Sequence, residues 1–159
     1  MITSSEIYSL SGHHEEFLSM KGTYITGPHK IRVIRWTPKA APVGVILVSH
    51  GLYEHGLRYC GIAKRLLEEN YIVYACDHYA HGKSDGEKGL ITDYYVLLSD
   101  FEELGEYVKS QHQDLPMGIL AHSMGTIIAL LSNNRMPYVK CLFLSAIPLF
   151  PGPAASSPF

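Results

Sequence analysis

Ser123 stands in the pentapeptide Ala121-His122-Ser123-Met124-Gly125. An apolar run, Met117 to Ala121, precedes it, and residues at helical spacing follow through Leu131. A strand that stops on a serine and turns at once into a helix lifts the hydroxyl clear of the sheet, the shape of a nucleophile elbow. The chemistry requires that exposure, because a hydroxyl is a weak nucleophile until a base can reach it. It also requires the backbone N–H just after the serine to face the oxyanion that forms. Small residues two before and two after the serine let strand and helix pass closely. Gly125 meets that demand, and Ala121 meets it less well, because it carries one methyl more than the first glycine of the usual G-x-S-x-G. The blander reading of the same five residues is a strand–helix junction with Ser123 as N-cap.

The elements around this stretch favour the first reading. Glu16 to Ile25 and Lys30 to Trp36 read as two strands joined by Thr26-Gly27-Pro28-His29, an antiparallel hairpin. Val43 to Ser49, Tyr71 to Asp77, Met117 to Ala121 and Val139 to Ala146 are β-branched or continuously apolar, the pattern of strands buried on both faces. Between them, helices are expected from Leu57 to Asn70 and from Asp93 to Gln113, the second capped by Thr92 or Asp93. Alternation of strand and helix predicts an α/β fold with a mostly parallel sheet and right-handed crossovers. Ligands in such folds sit beyond the carboxyl ends of the strands, where His50-Gly51-Leu52 and His122-Ser123 both fall.

Composition narrows the class. The 159 residues suffice for one core, and 47% hydrophobic with 18% charged residues describes a globular chain. A formal net charge of −2, with no run of Lys and Arg, gives no electrostatic case for nucleic acid. Three widely spaced cysteines, Cys60, Cys76 and Cys141, predict reduced thiols and no disulfide framework. The first residues show neither a basic nor an apolar signal region, and the apolar run from Cys141 to Phe159 is broken by four prolines. A cytoplasmic protein is expected, with peripheral contact to a membrane left open.

Three segments together resemble one family. His50-Gly51-Leu52-Tyr53-Glu54-His55 followed by Arg58-Tyr59 is similar to the HGxxEHxxRY segment of monoglyceride lipases and related lysophospholipases of the α/β-hydrolase fold. Asp77-His78-Tyr79-Ala80-His81-Gly82-Lys83-Ser84 resembles that family's D-x-x-G-H-G-x-S loop, and Ala121 to Gly125 its GHSMG elbow. Order and intervals match over about Glu16 to Phe150. The resemblance implies a serine hydrolase in which Ser123 attacks an ester carbonyl, with the N–H groups of Leu52 and Met124 as the oxyanion hole. It implies a small lipid ester, a monoacylglycerol or lysophospholipid, as substrate. No cofactor or metal is expected. His78 and His81 lie at i, i+3, but no further ligand stands at metal spacing. His50 is expected to orient its loop, Glu54, His55 and Arg58 to brace it, and His122 to point away from Ser123. Ala80 and Ala121 each replace a family glycine, which matters where φ is positive or backbones nearly touch.

One requirement is unmet. Hydrolases of this fold order their triad Ser, then Asp or Glu, then His. No Asp, Glu or His follows Ser123 in this sequence. The sequence therefore reads as the amino-terminal half of a hydrolase, truncated before the cap and the last strands: a leader at 1–15, core at 16–146, and the start of a cap at 147–159. Three readings stay open. Ser123 works with an acid and base from elsewhere; the chain is a pseudoenzyme or a lipid- or partner-binding module; or an upstream histidine, His50 or His55, substitutes as base.

Overall fold

A computed structural model describes residues 10–22 and 27–149. Its six strands are β1 (His14–Met20), β2 (His29–Trp36), β3 (Gly44–Ser49), β4 (Tyr71–Cys76), β5 (Met117–His122) and β6 (Val139–Ser145), in the spatial order β1-β2-β4-β3-β5-β6. The strands from β3 onward run parallel, while β1 and β2 form the antiparallel hairpin at one edge. This is the mostly parallel α/β sheet that the alternation predicts. Residues 23–26, assigned to the end of the first strand and its turn, lie outside the described residues, as do 1–9 of the expected leader and 150–159. β1 begins at His14, two residues before the expected start.

The period-2 alternation of the strands sorts their side chains into two cores. Val45 and Leu47 of β3, with Ile72 and Tyr74 of β4, pack beneath Leu97, Phe101, Leu104 and Ile128. Their neighbours Ile46, Val48, Val73 and Ala75 face the other way, onto Cys60 and Ala63. The three helices are α1 (Cys60–Glu68) on the second face, and α2 (Tyr94–Gln111) and α3 (Met124–Ser132) together on the first.

Asp93, not Thr92, caps α2: its side chain accepts from Tyr95 N–H at 2.9 Å. The helix expected from Leu57 starts as a separate 3₁₀ turn, Gly56–Tyr59, before α1. Its entry is set by a buried carboxylate, since Gly56 N–H donates to Asp77 Oδ1 at 2.7 Å. Asn70, at φ 62°, reverses the chain two residues after α1.

The last strand departs from its apolar sequence. Val139 to Ala146 reads as a run buried on both faces, yet β6 is an edge strand with Cys141 and Phe143 exposed. It pairs with β5 on one side, and among the described residues no helix covers Phe143. No helix among the described residues is long and apolar enough to cross a membrane.

Candidate active site

The turn between β5 and α3 holds Ser123 at φ 50°, ψ −122°, a conformation that a residue with a Cβ adopts only when its surroundings impose it. Four contacts impose it here. Ser123 N–H donates to Ser145 O of β6 at 2.9 Å, and Ser123 O accepts from Thr126 N–H at 2.9 Å and the Thr126 hydroxyl at 2.7 Å. Gly125 supplies the fourth: a Cβ there would stand 2.2 Å from Ser49 O and 2.8 Å from His50 O. The helix thus runs directly against the end of β3, as the small residue at that position predicts.

That contact places the end of β3 beside the serine. A Cβ on Gly51 would lie 3.2 Å from Ser123 Cβ and 3.3 Å from His122 Cδ2. Of the two expected backbone donors, Met124 follows Ser123 at the first position of α3 and Leu52 follows Gly51 on the loop after β3. The first N–H groups of a helix have no partner within it and are free to face an anion.

The loop carrying Leu52 is pinned by its neighbours. His50 is fully buried, and its Nδ1–H donates to Gly51 O at 2.7 Å while its Nε2 accepts from His78 N–H at 3.0 Å. These two bonds fix one neutral tautomer. Burial, together with neighbouring His81, pushes the His50 imidazole down to about 4, so it stays uncharged at neutral pH. His78 is held well below the usual range by burial and by His50 and His81, and pairs with Ser49 Oγ at 3.0 Å. His50 orients its loop, as expected. Among the described residues no three His, Cys, Asp or Glu side chains are placed to hold a metal ion.

Glu54 and Arg58 brace the same loop. Glu54 Oε2 accepts from Gly51 N–H and from the Tyr59 hydroxyl, both at 2.9 Å, and Oε1 faces Arg58 Nε at 3.4 Å. Burial works to raise the Glu54 carboxyl, but these donors outweigh it and hold it below its ordinary value. His55 lends its carbonyl to Arg58 N–H at 3.1 Å. His122 turns to Ser145 Oγ at 3.3 Å. Beside it, an open groove of about 330 Å³ between α1 and β6 is lined by Tyr59, Ile62, Leu120 and Phe143.

The two alanines that replace family glycines fare differently. Ala80 sits at φ 60°, so its methyl is carried in a strained turn closed by Asp85 O and Gly89 N–H. Ala121 is in the extended strand β5, fully buried, where a methyl costs nothing in backbone strain.

Two long-range pairings were not readable from the sequence. Asp77 Oδ2 accepts from Lys83 N–H at 2.8 Å and from Arg32 Nη1 at 3.3 Å, and Arg32 also holds Glu15 at 2.6 Å. His29 Nε2 donates to Asp100 Oδ2 at 2.7 Å, joining the start of β2 to the middle of α2. The one available signal was Asp100 itself, a carboxylate next to Phe101 on the apolar stripe of α2.

Residues 40–157 match the family described as serine aminopeptidase, S33. The chain belongs to this serine hydrolase family. It is 36% identical over 102 residues to the human monoglyceride lipase, covering 64% of this chain and 34% of that protein. A monoacylglycerol lipase of Mycolicibacterium smegmatis is 37% identical over 102 residues, 64% of this chain and 36% of the relative. The chain thus spans about a third of the length of the curated relatives it matches. The structure of a soluble variant of Saccharomyces cerevisiae monoglyceride lipase with a substrate analog superposes with a TM-score of 0.77 at 19% identity. That superposition covers 95% of this chain and 50% of the other. At that identity the likeness bears on the fold alone, and the fold is that of an α/β-hydrolase.

Proposed function

We propose that this S33-family chain carries the nucleophile half of a carboxylic-ester hydrolase acting on a monoacylglycerol or lysophospholipid. In this mechanism Ser123 Oγ bonds to the ester carbonyl carbon while its proton passes to a base. The negative charge gathers on the former carbonyl oxygen, between Leu52 N–H and Met124 N–H. Collapse expels the alcohol, protonated by the same group, and leaves an acyl-serine. Water then repeats the sequence, releases the fatty acid and restores Ser123. The observation that supports this most is the positive φ of Ser123 with Gly51 packed against it. The names of the relatives favour a lipid ester over a peptide.

The base and its carboxylate must come from polypeptide outside this sequence, since no Asp, Glu or His follows Ser123. His50 is a poor substitute: both ring nitrogens are engaged and burial keeps it from taking a proton. On its own the 159-residue chain is catalytically idle. The same absence motivates a second reading, a pseudoenzyme that binds lipid or a protein partner without turnover.

The test is labelling of a longer protein, containing the downstream acid and base, with a fluorophosphonate probe. Labelling is expected at Ser123 and absent in Ser123→Ala, with the 159-residue chain reacting at least about 1000-fold more slowly. Equal labelling of the longer protein and its Ser123→Ala variant would overturn the nucleophile assignment. Stoichiometric lipid binding by a longer protein that resists the probe would favour the second reading.

A further inference from the structure

Leu52 N–H belongs to the peptide unit whose carbonyl is Gly51 O. In a trans peptide the two point in opposite directions, so whatever holds the carbonyl aims the N–H. Gly51 O accepts from His50 Nδ1–H at 2.7 Å and from Glu54 N–H at 3.2 Å. Among the described residues no acceptor is paired with Leu52 N–H. The donor is thus held from behind and left open in front.

The turn that presents it is not one the backbone favours. The Glu54 N–H to Gly51 O bond closes a four-residue turn, and Tyr53, third in it, has φ 57°. Turns with that position at positive φ prefer glycine or asparagine. A tyrosine there needs an outside hold, and the Glu54 side chain is placed to give it. Its Oε2 returns to Gly51 N–H, so the carboxylate and its own backbone N–H grip the first residue of the turn from both sides. The carboxylate is itself fixed by the Tyr59 hydroxyl and by Arg58.

We propose that Glu54 is a positioning residue for the oxyanion site: its carboxylate holds the 51–54 turn so that Leu52 N–H faces the developing charge. This rests on the reading of Ser123 as nucleophile. It has a consequence that a merely structural brace lacks. One oxygen, Oε2, takes both hydrogen bonds, so a glutamine can keep both while losing the negative charge and its pairing with the exposed Arg58. That charge opposes an oxyanion nearby, whereas the hydrogen bonds support it. Glu54→Gln and Glu54→Ala are therefore expected to part, with only the alanine raising the pH at which the oxygen ionises.

The experiment uses the longer protein that carries the downstream acid and base, with an aliphatic trifluoromethyl ketone, followed by fluorine NMR. Ser123 Oγ adds to the ketone carbon, the hydroxyl proton passes to the base, and the former carbonyl oxygen becomes the hemiketal oxygen facing Leu52 and Met124. Titration reads how readily that oxygen ionises. Glu54→Gln is expected to ionise at the same pH as wild type or lower. Glu54→Ala is expected to hold its proton about tenfold more tightly, a fraction of the loss of a whole oxyanion donor. Should Glu54→Ala fail to fold, Tyr59→Phe is expected to move ionisation in the alanine direction by a smaller amount. The same ionisation in all folded variants would overturn the proposal.

Failure of wild type to form the adduct would instead count against Ser123 as nucleophile. The turn is then read directly, from the nitrogen-15 relaxation of a selectively labelled Leu52 amide. Its order is expected to persist in Glu54→Gln and to fall in Glu54→Ala or Tyr59→Phe, and equal order in all would overturn the hold.

Discussion

Gly125→Ala tests the close passage of α3 over the end of β3. An alanine Cβ would stand 2.2 Å from Ser49 O, 2.6 Å from Ser49 C and 2.8 Å from His50 O. All three are backbone atoms at the end of a central strand, so no side-chain rotation makes room. To reach ordinary contact at 3.4 Å, the helix must retreat by about 1.2 Å from the nearest of them. Overpacking in a tight core costs about 1–3 kcal/mol. With a rigid backbone on one side and a helix wedged on the other, the upper end, about 3 kcal/mol, is expected. For a domain of this size that lowers the melting temperature by about 6–12 °C. Urea unfolding followed by far-ultraviolet circular dichroism measures it. A variant within about 0.5 kcal/mol of wild type, the range of an innocuous surface change, would refute the claim that helix and strand touch here.

Three further outcomes are expected. The folded-state His50 pKa of about 4 lies below the ordinary 6.5, so the folded chain binds fewer protons than the unfolded one between those values. Stability from this group is therefore full above about pH 6.5 and lost as pH falls toward 4, by about 3 kcal/mol in all. Subtracting the urea-derived stability of His50→Asn at each pH isolates that loss, because the raised Asp100, pushed up to about 6 by burial, has the opposite slope in both proteins. Asp77→Ala strips Gly56 and Lys83 N–H of their acceptor and leaves buried Arg32 with Glu15 alone, which is expected to cost about 3–5 kcal/mol in the same unfolding assay. Ser123→Gly relieves the backbone of a left-handed residue, and its melting temperature is expected to rise above that of Ser123→Ala, which keeps the strain without the hydroxyl.

The parts of the fold that follow from local pattern were legible. The four β-branched or apolar runs gave the parallel strands because their composition suits a pleated, buried surface. Gly125 announced the close contact because only a missing side chain explains a glycine there. What escaped depended on partners distant in sequence. Arg32 meets Asp77 across 45 residues, and His29 meets Asp100 across 71. Neither residue type nor spacing specifies such a pairing before the sheet order is known. The exposure of β6 was not written in its own residues: its sequence is apolar enough for a central strand, and burial depends on which neighbours cover it. The split between the 3₁₀ turn and α1 was hidden because the apolar spacing runs through both, and the bond that fixes the turn's entry comes from Asp77, just past the end of β4. The oxyanion loop was legible as a motif, but its mechanics were not. Which atom holds which side of the Gly51–Leu52 peptide needs coordinates.

Glu15 sits on the outermost strand, in a hairpin that has no obvious bearing on Ser123. Through Arg32 it reaches Asp77, and through Asp77 it reaches Gly56, where the loop bearing Leu52 enters its 3₁₀ turn. A residue of the edge hairpin therefore completes the hydrogen bonding of a guanidinium beneath a loop that follows it in the chain. Until β1 docks, Arg32 must wait with one carboxylate in place of two. A chain trimmed to begin at residue 16 would keep every residue of the elbow and the oxyanion loop, and would still send a guanidinium whose Nε and Nη2 have lost their carboxylate into the layer that supports them. In designing shorter versions of this protein, the edge hairpin belongs with the site.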